Sequence, residues 1–409
     1  MNPGLVVKLR PAGPWRIGPD SGARNRTDVI YHSDSLYSAV TSAMLRLGSL
    51  EEWLDATARN AAPAVCFSSC FPFQDEIGFV IPPRTLWPPS SPALLSARVR
   101  WKSARFVPLA VVQSIAHGQP PDENDWSIDG PSECLVPAGS HGPFLAGVRW
   151  SAAVDRLTGS SERHSTACIE FQPGAGLWTI VSFADEAARA RWIEPVKAAF
   201  RLLADSGFGG ERSRGWGRSD APEFVEGTLP DMILGAKPAA PAPPPTPEAE
   251  APAAPAAEPL AAAAPDEPIL SPVAVPETPP AESEPVAPLE PAPEAESPAP
   301  EPVPVSPEPP PASPRPASVY WLLSLFTPGA ADTVDWRRGN YALMARGGRV
   351  ESPAGSGEIK KQMQMVAEGS VLHAASEPRG SASDVAPDGF AHPVFRAGFA
   401  VSIPLPEVS

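Results

Sequence analysis

The sequence has little cysteine and no long apolar run. Its four cysteines (Cys66, Cys70, Cys134 and Cys168) include no C-x-x-C pair, and no histidine stands at a spacing suited to zinc. Cys66 and Cys70 lie four residues apart in the apolar segment VCFSSCF, which favours buried thiols. No uncharged apolar segment approaches the roughly 20 residues that span a bilayer, and the N-terminus carries no secretory signal. These absences predict a soluble, cytoplasmic protein without metal, cofactor or membrane contact.

Basic charge is also scarce, but the deficit is local. The formal net charge is −15 for 409 residues. The stretch from Pro238 to Pro316 holds 29 of the 57 prolines, 13 acidic residues and one arginine, so it carries −12 of that charge. The folded parts are therefore close to neutral, and an anionic partner is not excluded.

This proline-, alanine- and glutamate-rich stretch predicts a disordered tether with local polyproline II, because it cannot bury enough apolar surface to order itself. A long connection costs little in closure entropy when both flanks are folded. The predicted organisation is an N-terminal domain over residues 1–230, a linker over 231–317 and a C-terminal domain over 318–409. The P-x-x-P matches of the tether are also possible ligands for aromatic grooves, although a spacer is the favoured interpretation.

The N-terminal part alternates strands with two helices. The segment GLVVKLRP predicts a strand, and Leu36, Val40, Ala43, Met44 and Leu47 repeat as the stripe of an amphipathic helix. Ser33 or Asp34 is expected to cap that helix, and Gly48 to end it. Further strands are predicted at AVCFSSCF, IGFVIP and GLWTIVSF, and VRWSAAVDRLTGSSERHSTACIEF predicts two strands around an exposed turn.

A second helix is predicted after GLWTIVSF. Its apolar face includes Trp192, Val196, Ala199, Phe200 and Leu203, Pro195 is expected in the first turn of its second part, and Gly207 is expected to end it.

Beyond the tether, VYWLLSLFTP predicts a strand, NYALMARGGRV a hairpin that turns at Gly347–Gly348, and HPVFRAGFAVSIPLP a closing strand. Strands interleaved with two helices in each part predict an α+β protein with two ferredoxin-like (RRM-type) domains.

One glycine-rich segment stands out: GFGGERSRGWGR, from Gly207 to Arg218, has five glycines and three arginines in twelve residues. No lysine follows the glycines as in a Walker loop, and the segment follows a helix instead of preceding one, so the negative helix end would face it. Loop amides and Arg212, Arg214 and Arg218 would then hold phosphates, while Trp216 offers a stacking face. These parts fit single-stranded nucleic acid better than a nucleotide, but a structural left-handed turn with solvated arginines explains them as well.

The order helix, glycine-rich loop, strand resembles the loop of the RAMP superfamily of CRISPR-associated proteins. The segments HSDSLYSAV, VRWSAAVDRLTGS and FQPGAGLWTIV are similar to one branch of that superfamily, and YWLLSLFTP, EGSVLHA and HPVFRAGFAVSI resemble the second domain of the same branch. The sequence is thereby identified as resembling the subunit of type III-A CRISPR effectors (the Csm complex) that caps the crRNA at its 5′ end. The long tether departs from the family, which joins the two domains briefly.

The resemblance implies RNA binding without catalysis. Such a subunit grips the repeat-derived 5′ handle of the crRNA and contacts the large polymerase-like subunit and the first backbone RAMP subunit in antiviral defence. The residues it implies, or that adjoin those segments, are Gly207, Gly209, Gly210, Arg212, Ser213, Arg214, Gly215, Arg218, His32, Ser33, Arg16, Lys102, Arg105 and Arg156. Arg396 is expected in a partner contact or an ion pair.

Two alternatives stay open. Some RAMP relatives cleave crRNA precursors with a histidine, tyrosine or lysine as general acid or base, and His32 is the one histidine beside a predicted RNA surface. No paired carboxylates, metal cluster or His–Ser–Asp order supports that chemistry. The second alternative is a scaffold that acts through its proline-rich segment.

Overall fold

A computed structural model describes residues 2–18, 23–90, 100–119, 121–235, 317–352 and 355–406. Within those ranges the chain is a mixture of helices and antiparallel sheets, so the α+β class is confirmed. The predicted tether lies almost entirely outside the described residues. Throughout the described residues, no helix is both long and apolar enough to cross a bilayer.

The largest sheet belongs to the N-terminal part. Its order among the described strands is β11–β1–β10–β3–β4–β5, and β2 also pairs with β10. The strands of this part are β1 (Asn2–Leu9), β2 (Val65–Phe67), β3 (Phe71–Gln74), β4 (Ile77–Val80), β5 (Val107–Pro108), β6 (Trp126–Asp129), β7 (Cys134–Pro137), β8 (Phe144–Val154), β9 (Ser161–Phe171), β10 (Ala175–Phe183) and β11 (Glu223–Leu229). Its helices are α1 (Ser33–Arg46), α2 (Leu50–Ala56), α3 (Leu109–Ala116), α4 (Glu186–Ser206) and α5 (Asp231–Leu234).

The two predicted helices form where the apolar periodicity places them. In α1 the residues Leu36, Val40, Ala43 and Met44 are buried, and the helix ends at Arg46, which leaves Leu47 half-exposed. His32 occupies the N-cap without a side-chain hydrogen bond, so the prediction that Ser33 or Asp34 caps the helix is wrong. Both side chains contact the C-terminal part instead.

The α4 helix runs unbroken through Pro195, which corrects the prediction of a second part that starts there. The predicted apolar face, with Trp192 and Val196 on either side of Pro195, is buried along the whole helix. Packing of this face outweighs the loss of one backbone hydrogen bond at the proline. Gly207 ends the helix at φ +89°, as predicted.

Strands alone build the described residues of the C-terminal part, so the two helices predicted there are wrong for residues 317–352 and 355–406. A sheet of order β13–β18–β12–β21 is flanked by the pairs β14–β17, β15–β16 and β19–β20. The strands are β12 (Ser318–Leu322), β13 (Val334–Asn340), β14 (Leu343–Arg346), β15 (Arg349–Ser352), β16 (Gly355–Ile359), β17 (Met363–Val366), β18 (Val371–Ala374), β19 (Gly380–Asp384), β20 (Phe395–Phe399) and β21 (Ser402–Leu405).

The connections of this part differ from the predicted ones. At Gly347–Gly348 the chain passes from β14, which pairs with β17, to β15, which pairs with β16, so the predicted hairpin does not form there. The closing segment is two strands, β20 and β21, rather than one. β15 pairs with the strand that follows it, and β14 with β17 beyond that pair, a choice of partners that local alternation does not specify.

One apolar core runs through both parts. Tyr37 of α1 meets Phe399 of β20 edge to face, with ring centroids 5.5 Å apart, and Trp321 Nε1 donates to the carbonyl oxygen of Ile81 at 3.1 Å. Met1–Pro238 and Pro314–Ser409 accordingly form a single compact unit. The surface between α1 and the C-terminal strands is therefore a fixed feature of the protein.

Candidate nucleic-acid interface

The glycine-rich loop (Gly207–Arg218) leaves the C-terminal end of α4 and leads into β11, in the predicted order. Gly207, Gly209, Gly215 and Gly217 have φ between +70° and +89°, where glycine is strongly favoured. Gly210 is outside that region. A single 3-10 turn, Arg212–Arg214, forms the middle of the loop. The loop is thus an ordered segment, and its 3-10 turn, Arg212–Arg214, is called the crest below.

A neighbouring segment, residues 10–17, fixes the backbone of this loop. Gly210 N–H donates to the Arg16 carbonyl oxygen at 2.8 Å, and Gly217 N–H donates to the Pro14 carbonyl oxygen at 3.0 Å. Phe208 is buried and stacks on Trp15, with centroids 5.3 Å apart. A Cβ at Gly209 would lie 2.3 Å from the Arg16 carbonyl oxygen. The structural-turn interpretation therefore explains Gly209 without a ligand.

The polar side chains of the loop are at least partly exposed. Ser213, Arg214 and Arg218 are exposed, whereas Arg212 is one-third exposed and forms an ion pair with Glu351 of β15. Arg214 pairs with Glu211 inside the loop at 3.3 Å. Exposed pairs of this kind contribute little stability, so these guanidinium groups can exchange a carboxylate for a phosphate at low cost.

A cleft of about 660 Å³ lies between α1, the end of α4, the loop and the C-terminal part. Its floor includes the hydroxyl groups of Ser35, Ser38 and Ser42 on the polar face of α1. Its described lining carries six cationic side chains against three carboxylates (Asp34, Glu51 and Glu351); the cationic ones are Arg46, Arg59, Arg212, Arg349, Lys360 and Arg396. The charged side chains of the cleft lining therefore sum to a net positive charge.

Beneath the cleft, Asp34 joins the two parts of the chain through a buried ion cluster. Arg346 donates to its two carboxylate oxygens, from Nε at 3.1 Å and from Nη2 at 3.0 Å, and Arg396 Nη1 donates to Oδ2. All three side chains are less than one-tenth exposed. Burial would raise the pKa of Asp34, but the two guanidinium groups outweigh it and hold the pKa at about 2. The expected ion pair of Arg396 is confirmed.

His32 and Ser33 lie in a second buried polar contact. The His32 ring contacts Glu368 at 2.7 Å through Nδ1 and Asp28 at 3.3 Å through Nε2. Ser33 Oγ accepts from Leu325 N–H at 3.0 Å, and its own N–H donates to Ser69 Oγ at 2.9 Å. Burial would lower the pKa of His32, but the two carboxylates outweigh it and raise the pKa to about 9.

Residues 315–405 match the family model of the CRISPR Csm4 C-terminal domain. A crystal structure of a Csm3–Csm4 subcomplex of the type III-A CRISPR-Cas interference complex is similar to this chain, with TM-score 0.52 and 12% identity over 98% of this chain and 99% of the other. Residues 315–405 are therefore Csm4-like, and the fold of the chain is similar to that of the subcomplex. A Csm1–Csm4 cassette in complex with cA4 matches with TM-score 0.49 and 14% identity over 100% and 99% of the two chains. No curated protein matches.

The predicted relation to the type III-A RAMP subunit is thereby confirmed. At these identities the similarity to the Csm4 structures concerns the fold, so the site residues rest on the geometry of this chain. Gly207, Gly209 and Arg212 of the loop line the cleft. Arg214 lines a separate depression beside it.

The remaining predicted residues of this Csm4-like chain lie apart from the cleft lining. His32 and Ser33 are buried below it. The side chain of Arg16 lies against Gly210, and its Nη2 donates to the Ala23 carbonyl oxygen at 3.0 Å. Arg105 pairs with Asp28 at 3.5 Å.

Lys102 is exposed, and Arg156 lies in the exposed turn between β8 and β9. Neither side chain lines the cleft.

Several basic residues of the cleft were missed in the sequence. Arg46 is the last residue of α1, and Arg59 comes shortly after the end of α2. Arg349 and Lys360 belong to the C-terminal part. The amphipathic pattern of α1 was a usable signal for Arg46. Nothing local to Arg349 or Lys360 indicates that β15 faces α1.

Proposed function

We propose that this chain binds the repeat-derived 5′ handle of a crRNA as a non-catalytic subunit of a type III-A CRISPR effector. The observation that carries the proposal is the cationic cleft, because it brings the glycine-rich loop, the polar face of α1 and the C-terminal strands to one groove. A groove of net positive charge with serine hydroxyls suits a sugar–phosphate backbone. The family match supports the same role.

The order of elements β1–α1–β2–β10–α4–β11, with strands arranged β11–β1–β10–β2, supports a ferredoxin-like core for the N-terminal domain, residues 1–230. We assign residues 318–409 to a second domain that folds onto the first, with residues 231–317 as the connection. Such α+β surfaces commonly hold single-stranded RNA in a fixed, unpaired form.

The partners we propose are the large polymerase-like subunit and a backbone RAMP subunit. The similar structures are a Csm1–Csm4 cassette and a Csm3–Csm4 subcomplex, which supports both contacts for a Csm4-like chain. In this assignment the chain bridges the two subunits while it holds the RNA between them.

The test is RNA binding by loop variants of the full chain. Arg212→Ala removes a cation from the cleft and should weaken binding of a handle-containing single-stranded RNA by roughly 1–3 kcal/mol, with a shallower salt dependence. Arg189→Ala is the matched control, because Arg189 is equally exposed and also ion-paired but does not line the cleft. Fluorescence anisotropy at several salt concentrations measures both.

Equal affinities of the wild type and Arg212→Ala at every salt concentration would exclude the cleft from the RNA path. Metal-independent cleavage at one position of the bound RNA would favour the nuclease alternative. Loss of a partner on deletion of residues 238–316, with RNA binding retained, would favour the scaffold alternative.

A further inference from the structure

A second depression lies on the other side of the glycine-rich loop. Its volume is about 510 Å³, and it is called the slot here. Its lining is Pro14, Arg149, Trp150, Ser151, Arg214 and Trp216, and it shares no residue with the lining of the cleft. Three separate segments therefore meet at the slot: residues 10–17, strand β8 and the loop.

The backbone that carries Trp216 is held in one conformation. Gly215 and Gly217 on either side have φ of +79° and +77°. Gly217 N–H donates to the Pro14 carbonyl oxygen at 3.0 Å, and Phe208 N–H donates to the Gly217 carbonyl oxygen at 2.9 Å. A Cβ at Gly217 would lie 1.9 Å from the Phe208 carbonyl oxygen. Glycine at this position is therefore needed to place the adjacent indole beside Pro14.

Trp150 is an exposed indole on a rigid support. The β8–β9 hairpin pairs without a break from Phe144↔Phe171 to Val154↔Ser161, and Trp150 lies opposite Ser165. The residue is 62% exposed. The guanidinium of Arg163 lies 4.5 Å from its ring centroid but does not line the slot. Arg163 therefore covers one face of the indole, while the residue as a whole stays largely open to solvent.

The charge of the slot favours an anion. Its described lining has two arginines and no carboxylate. Arg149 pairs with Glu170 at 2.8 Å and Arg214 with Glu211 at 3.3 Å, but both guanidinium groups are about half-exposed. Exposed pairs of this type are easily exchanged. The ligand should therefore combine a flat apolar part with negative charge beside it.

We propose that the slot takes one unpaired RNA base, stacked on Trp150 and Trp216, with the adjacent phosphates on Arg149 and Arg214. A free phosphate cannot stack on the two indoles, whereas any nucleobase can stack on them irrespective of sequence. This inference rests on the proposed function, because the base belongs to the same RNA strand that the cleft holds.

The 3-10 turn joins the two sites. Arg212 lines the cleft, and Arg214, two residues further along the same turn, lines the slot. An RNA strand that leaves the cleft across this crest reaches the slot directly. The base in the slot is therefore the one next to the segment held in the cleft.

The experiment measures binding of the full chain to a fluorescein-labelled handle-containing RNA and to a set of RNAs with a single abasic nucleotide at each successive position. Trp150→Ala should weaken binding of the intact RNA about tenfold, as expected for loss of one stacked base. Trp150→Phe should recover most of the loss. Trp336→Ala is the matched control, because Trp336 is also exposed but lies on β13, outside both sites.

One abasic position should cost the wild type about tenfold or more and should cost Trp150→Ala a smaller factor, because only the contact with Trp216 is then left to lose. The proposal is overturned if Trp150→Ala binds the intact RNA as the wild type does, or if it loses the same factor at every abasic position. Unchanged RNA binding together with loss of a partner subunit would identify Trp150 as a protein contact instead. If the wild type binds none of the RNAs, the proposed function itself fails, and that result is distinct from a defect of Trp150→Ala alone.

Discussion

Replacing Asp34 by asparagine should destabilise the whole protein, because Asp34 neutralises two buried arginines that come from the C-terminal part. Its carboxylate accepts two hydrogen bonds from Arg346 and one from Arg396, and both arginine side chains are less than one-tenth exposed. Removing one partner of a buried ion pair costs roughly 3–5 kcal/mol, since the other charge stays buried without compensation. Here the guanidinium groups of both Arg346 and Arg396 would lose their carboxylate partner.

The pKa of Asp34 gives a second figure for the same cluster. A pKa of about 2 against the ordinary 3.8 corresponds to about 2 kcal/mol in favour of the charged form. This smaller figure describes loss of the charge with the side chain still in place, as in a neutral side chain of the same size. Asp34→Asn, which keeps one acceptor oxygen, should cost about 2–3 kcal/mol, and Asp34→Ala should reach the upper end of the range for a broken buried pair.

The assay is urea unfolding of the full chain, followed by tryptophan fluorescence, with the free energy of unfolding compared among variants. Asp388→Asn is the matched control, because Asp388 pairs with Lys361 at 2.8 Å on the surface and is almost fully exposed. Its loss should change the free energy of unfolding by less than about 0.5 kcal/mol. The reasoning is refuted if Asp34→Asn is as mild as Asp388→Asn.

Two further predictions concern the stability of the protein, one at Gly209 and one at His32. Gly209→Ala should lower the free energy of unfolding by about 2 kcal/mol or more, because its Cβ would meet the Arg16 carbonyl oxygen, whereas Gly215→Ala, with a similar φ and open space, should cost only about 1 kcal/mol; equal losses in urea unfolding would contradict the contact. The pKa of His32 is raised to about 9, so its stabilisation should be complete below about pH 6.5 and decline as the pH rises through 9. Unfolding measured from pH 6 to 10 should show that decline in the wild type and a flatter profile in His32→Gln, and identical profiles would exclude His32 as its source.

Local patterns predicted the two long helices of the N-terminal part, but not α2, α3 or the β6–β7 pair. The stripe in α1 and the apolar face of α4 each bury the residues expected, because a 3.6-residue period leaves one face to pack against the sheet. The glycine-rich loop was recognised together with its position after the helix that Gly207 terminates. The relation to the type III-A RAMP subunit was also available from ordered short segments.

Local patterns did not predict which of the C-terminal strands pair with each other. The hairpin expected at Gly347–Gly348 gives way to two separate pairs, β14 with β17 and β15 with β16. The segment HSDS was expected as a helix cap or an RNA contact. In the structure His32 and Asp34 bind Glu368, Arg346 and Arg396, more than 300 residues away in sequence.

The sequence by itself determined where the two long helices of the N-terminal part lie, where the acidic proline-rich stretch lies, and that a glycine- and arginine-rich turn follows a helix, since each of these depends on neighbours within a few residues. Only the tertiary structure decided that Arg349 and Lys360 face α1 across one groove, and that Trp150 and Trp216 share another. Those placements depend on how α1 and β8 pack against segments distant in the chain, and packing at that range leaves no local mark in the order of residues.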